Sequence, residues 1–102
     1  MFTFYSDGSH GWLRVPAIKL EEYNITDKIS HCSYIRGADV YLEEDCDAPI
    51  FINAYCAALG VSDEEFRTNI HWVYSDGPSP IRGYDSYRPY KYGYGVIVMF
   101  NV

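Results

Sequence analysis

Acid–base chemistry in this chain would first be sought at its three histidines, His10, His31 and His71, because imidazole is the side chain that titrates near neutral pH. His10 follows Asp7 and Ser9, so a Ser/His/Asp relay can be considered. Relays of that kind are assembled in space from separate segments, and three members within four positions of one loop rarely meet in working geometry. The simpler reading is a turn whose Asp and Ser bond their own backbone. A second cluster, Glu43, Glu44, Asp45 and Asp47, offers carboxylate oxygens of the kind that magnesium or calcium takes. It lacks the alternating spacing and central glycine of an EF-hand loop, and acidic residues at a helix start are favoured by the helix dipole alone. The cluster is therefore read as a charged contact surface, and no metal is expected.

Toward the C-terminus, tyrosines 84, 87, 90, 92 and 94 alternate with Arg82, Arg88 and Lys91. Aromatic rings interleaved with cations can stack bases while holding phosphates. Tyr and Arg are equally the usual anchors of protein interfaces, and several of the rings could simply cover a sheet. Tyr92-Gly93-Tyr94-Gly95 contains a GxG, but no helix pattern follows it, so a dinucleotide site is not expected. No other cofactor pattern is present. Cys32, Cys46 and Cys56 form no CxxC, their spacings fit no zinc site, and an odd number cannot all pair within the chain. Free thiols are expected.

These residues must be positioned by short elements. Residues 1–6 and 11–15 are rich in aromatic and β-branched types and flank Asp7-Gly8-Ser9, which suggests a hairpin. Residues 16–23 read as a short helix with Pro16 in its first turn, an apolar side of Ile18, Leu20 and Tyr23 with Ile25 beyond, and Asn24 as its stop. Residues 31–35 and 40–43 flank the turn Arg36-Gly37-Ala38-Asp39, a second hairpin. Asp47 is positioned to cap the clearest helix, with Pro49 in its first turn, Ile50, Phe51, Ala54, Ala58 and Leu59 on one face, and Gly60 at its end. Ser62 and Glu65 form a capping box for a shorter helix to about Asn69 that buries Phe66 and Ile70. His71–Tyr74 is strand-like, residues 75–80 break the chain, and Gly95–Val102 reads as a buried strand.

The chain has 102 residues, of which 48 % are hydrophobic and 18 % aromatic, enough for one core and too few for two. The expected fold is a single α+β domain with a mostly antiparallel sheet and two or three short helices on one face. Formal net charge is −6, and the first 66 residues hold Arg14, Lys19, Lys28 and Arg36 against twelve acidic side chains. Such a body repels phosphate and steers toward basic partners, so nucleic-acid binding is disfavoured. The opening residues lack a basic, then apolar, leader pattern, and no run of about 18 apolar residues is present. No membrane span is expected, and a cytoplasmic location follows.

His10-Gly11-Trp12-Leu13 with Val15-Pro16, Ser33-Tyr34, and Tyr41-Leu42-Glu43-Glu44-Asp45-Cys46-Asp47-Ala48 resemble a pattern in short proteins of bacteriophages and other mobile elements. Ser79-Pro80-Ile81-Arg82 belongs to the same resemblance, which covers about half the chain. That group has no assigned reaction, so the resemblance implies a context, the cytoplasm of a bacterial host, and no catalytic residues. Together these readings lead to a non-enzymatic protein-binding module, plausible as a phage-type inhibitor of a host defence or nucleic-acid-processing system. Its expected contacts are Glu43, Glu44, Asp45 and Asp47, with Tyr87, Arg88, Tyr90 and Tyr92 as anchors. The alternative is a small nucleotide- or nucleic-acid-acting enzyme using His10 or His71 with Arg82 or Arg88, which requires the histidines and Arg82 to converge on one pocket. A non-catalytic nucleic-acid binder is the third reading.

Overall fold

The structure, a computed structural model, describes residues 1–88. The strand expected over residues 95–102, and the anchors Tyr90 and Tyr92, lie outside the described residues. Strands β1 (Phe2–Ser6) and β2 (Gly11–Pro16) form the first expected hairpin, in register from Thr3 opposite Arg14 to Ser6 opposite Gly11. Helix α1 (Ala17–Glu22) follows, and strands β3 (Tyr34–Arg36) and β4 (Asp39–Glu43) form the second hairpin around Gly37 and Ala38. Helices α2 (Ala48–Leu59) and α3 (Asp63–Thr68) lead to β5 (Ile70–Tyr74) and a two-residue β6 (Asp85–Ser86). The sheet order among the described residues is β5-β1-β2-β4-β3-β6. Every pairing is antiparallel except β1 with β5. The expected α+β architecture is therefore present, in a mixed sheet.

Alternation along the strands divides their side chains between two faces. Leu13, Val15, Val40 and Leu42 face the helices and form the main core with Ala17 and Leu20 of α1, Phe51 and Ile52 of α2, and Phe66 of α3. Phe2, Phe51, Tyr55 and Phe66 pack with ring centroids 5.2 to 5.7 Å apart, Phe51 and Tyr55 stacked and the other pairs edge-on or tilted. On the opposite face Trp12 and Tyr41 are covered by Ile81 and Tyr84 from the segment after β5. The chain expected to be irregular there begins with a tight helical turn, Pro80–Gly83, whose Ile81 N–H donates to the Ser79 hydroxyl oxygen.

Local signals held where the partner is also local. Ser62 accepts from the Glu65 N–H at 3.0 Å while Glu65 accepts from the Ser62 N–H at 3.1 Å, the reciprocal box expected at the start of α3. Gly60 adopts a left-handed conformation and closes α2 through its N–H to the Cys56 carbonyl. Asn24, with φ of 58°, stops α1 as expected.

Three expectations need correction. In α1 the buried residues are Ala17 and Leu20, while Ile18 is exposed. The Ala17 N–H bonds the Ala38 carbonyl at 2.8 Å, which fixes the rotation of this short helix. In α2 the inner face is Ala48, Phe51 and Ile52 with Tyr55 packed beside them, and Ala58 and Leu59 are exposed. The aromatic cluster draws Tyr55 inward, one turn on from Phe51. Finally, Asp47 stands at the N-terminal position of α2 but makes no side-chain cap. Its carboxylate is taken by other donors.

Gly11 is required by close approach. A Cβ built there would lie 2.4 Å from the Phe4 ring and 2.8 Å from the Glu44 carboxylate, inside any real contact distance. Overpacking of this kind costs roughly 1–3 kcal/mol. Gly11→Ala is expected to lower unfolding free energy by about 2 kcal/mol in urea denaturation with an unchanged m-value.

Candidate functional site

Of the four carboxylates expected to form a contact surface, two are internal. Asp47 is 2 % exposed, and its Oδ2 accepts from the Ser30 N–H at 3.1 Å, the Ser30 hydroxyl at 2.8 Å and the Ser33 hydroxyl at 2.6 Å. A buried carboxylate must be satisfied by such donors, and these tie the loop before β3 to the start of α2. Glu43 is also buried. Its Oε1 accepts from the Asp45 and Cys46 N–H groups, both at 2.9 Å, closing the turn that launches α2. Glu44 and Asp45 alone remain on the surface. Burial, with the negative neighbours Asp45 and Glu43, pushes the Glu44 carboxyl above its usual range.

The tyrosine set divides in the same way. Tyr87 is fully buried and donates its hydroxyl to the Thr26 carbonyl at 2.8 Å, so it is a core residue and not a surface anchor. Arg88 is exposed.

His10 does not join Asp7 and Ser9 in a relay. Asp7 accepts from the Ser9 and His10 backbone N–H groups, as the turn reading predicts. It also accepts from the Ser79 N–H at 2.9 Å and from Arg82 through two bonds, at 2.6 and 3.0 Å. The guanidinium of Arg82, followed by the Ser79 N–H, holds the Asp7 carboxyl well below its ordinary range. Arg82 then lies over the Trp12 ring at 5.4 Å. His10 instead places its Nδ1 3.5 Å from Glu43 Oε2. These groups border an open recess of about 380 Å³ that also takes in Cys32, Cys46 and Tyr34. His10 and Arg82 thus converge as the enzyme reading requires, but His71, exposed on β5, does not line this recess. Among the described residues no group of three or more His, Cys, Asp or Glu side chains could hold a metal ion.

A second feature, unanticipated as a site, lies at the β5 end of the sheet. Trp72 and Tyr74 are 54 % and 64 % exposed, although they sit in a run that reads as ordinary strand. Trp72 packs against Phe4 with centroids 5.1 Å apart. It walls a groove of about 160 Å³ whose floor includes Phe4, Ile52 and Ile70 and whose rim carries Glu44 and the Asp63–Arg67 ion pair. β5 has one sheet neighbour, β1, among the described residues. The available sequence signal was the combination of strand-forming residues with no Lys or Pro, the features that usually protect an edge.

The chain matches no protein-family model, no curated protein and no solved structure. No helix among the described residues is long and apolar enough to cross a membrane.

Because the Asp7 carboxyl titrates lower when folded than unfolded, its contribution to stability is complete above the unfolded value near 3.8. That contribution is lost as pH falls toward the folded value. Melting temperature should therefore drop progressively below about pH 4. In Asp7→Asn the melting temperature at neutral pH should be lower and the acid limb shallower, which thermal unfolding across a pH series will show.

Proposed function

We propose that this protein is a non-enzymatic protein-binding module that receives an extended, basic segment of a partner protein along the outer edge of β5. The observation that carries this reading is the exposed pair Trp72 and Tyr74 on β5, which ends the sheet among the described residues, beside an apolar groove with Glu44 at its rim. A strand added to a sheet edge gains main-chain hydrogen bonds, and alternate side chains enter neighbouring pockets. Aromatic residues are the usual energetic centres of such contacts. Charge argues for the chemistry of the occupant. The chain carries a net −6, and a Lys or Arg entering beside Glu44 would offset the desolvation and like-charge repulsion that raise its pKa.

The resemblance to short mobile-element proteins supports a host defence or nucleic-acid-processing protein as the partner, since such proteins present basic surfaces to phosphate. Inhibition would then follow from occupying that surface. Glu44, Asp45 and Arg88 remain available as peripheral contacts. Glu43, Asp47 and Tyr87 act by holding the scaffold.

The second reading, a nucleotide-acting enzyme, is favoured by His10 and Arg82 bordering one recess beside Glu43. It is weakened because Arg82 is already engaged by Asp7 through two bonds.

An array of short extended peptides probed with the purified protein separates these readings. Peptides that pair an apolar residue with a nearby Lys or Arg should be selected, and their binding should weaken with salt. Trp72→Ala should reduce affinity by about tenfold or more, as expected for truncating an interface aromatic, and Glu44→Lys should abolish the preference for basic peptides. Selection indifferent to Trp72→Ala, or titratable nucleotide binding lost in His10→Ala, would reject the edge-strand reading.

A further inference from the structure

We propose that Cys32 and Cys46 form a thiol pair that a low-molecular-weight disulfide oxidises to an intramolecular disulfide, making the recess beside His10 a redox modification site. The inference is independent of any role for β5. Both cysteines are exposed and unbonded, and both line the same recess. The Cys32 thiol stands close enough to Cys46 to raise its pKa, and both side chains open onto one recess from adjoining segments, so a small movement would bring the sulfurs into bonding contact.

The backbone on either side is already clamped. Ser30 and Ser33 flank Cys32, and both donate to the Asp47 carboxylate, which belongs to the residue after Cys46. The Ser33 hydroxyl in turn accepts from the Glu43 N–H at 3.0 Å, while Glu43 accepts from the Cys46 N–H. Four side-chain bonds thus cross between the two segments that carry the sulfurs. Ordering of this kind removes much of the entropy cost of bringing reacting groups together. Cys56 stands apart on α2, partly buried, with its thiol donating to the Ser62 carbonyl at 3.7 Å.

The two thiols take different parts in the exchange. The neighbouring Cys32 thiol and Glu43 carboxylate hold the Cys46 thiol protonated, with its pKa pushed up to about 12, so it is a poor first nucleophile. Cys32 as thiolate attacks glutathione disulfide, forming a Cys32–glutathione mixed disulfide and releasing one glutathione thiolate. With Cys32 capped, the Cys46 thiol loses its proton to solvent and attacks the Cys32 sulfur, expelling the second glutathione. Two protein thiols are oxidised, one glutathione disulfide is reduced to two glutathiones, and the thiol protons pass to solvent and the released glutathione. The new bond closes a loop through β3 and β4. By loop-closure entropy it should raise the melting temperature by roughly 10 °C.

The test is equilibration of the full chain in glutathione redox buffers, followed by acid quench, alkylation and peptide mass mapping. The expected result is a monomer with one disulfide joining Cys32 and Cys46, Cys56 still alkylated, and the higher melting temperature. Cys46→Ser should accumulate glutathione on Cys32, whereas Cys32→Ser should leave Cys46 largely unmodified. Three alkylatable thiols in the folded wild type at every glutathione ratio would overturn the proposal. So would a disulfide that uses Cys56 or joins two chains.

Discussion

Five N–H groups converge on the Asp7 carboxylate, two from its own turn and three from Ser79 and Arg82. A side chain this buried could not remain ionised without such donors, and three of them come from a segment more than seventy residues along the chain. The bond between them holds residues 79–84 against the second face of the sheet. There Ile81 and Tyr84 cover Trp12 and Tyr41, which would otherwise present a broad aromatic surface to water. Without Asp7 the sheet would have one dry face, supplied by the helices, and one sticky one.

Asp47 does the corresponding work at the helix layer. It joins the Ser30–Ser33 loop to the start of α2 and thereby sets where the helices enter the core. Part of the acidic charge is committed in this way. Asp7, Glu43 and Asp47 meet backbone or side-chain donors, and Asp39 is held by Arg14 at 2.8 and 3.0 Å. Glu44 stands outside this set, at the rim of the groove beside Trp72 where Asp63 is paired with Arg67.

The parallel pairing of β5 with β1 follows from the same layering. A parallel partner needs a long crossover, and α1, the second hairpin, α2 and α3 all intervene between the two strands. Phe66 in the core and Ile70 at the strand start deliver β5 to its place beside β1, the end of the sheet among the described residues. Arrival there leaves its aromatic residues at the margin of the core.

Several elements were legible in the residues alone because their partners lie within a few positions. The two hairpins, the Ser62–Glu65 box, the Gly60 and Asn24 stops and the α+β class all follow from turn chemistry, capping and periodicity. The role of a charged or aromatic side chain was not legible, because it depends on groups brought in from far along the chain. Glu43 and Glu44 are adjacent and chemically alike, yet one closes a turn from inside and the other edges a groove. Trp12 and Trp72 occupy similar apolar strand runs, yet one is 2 % exposed and the other 54 %. β2 lies between two strands with both faces covered, while β5 has a single neighbour among the described residues. Local pattern determined that both tryptophans stand on strands; only the order of the strands in the sheet decided which became core and which became surface, because burial depends on what packs alongside.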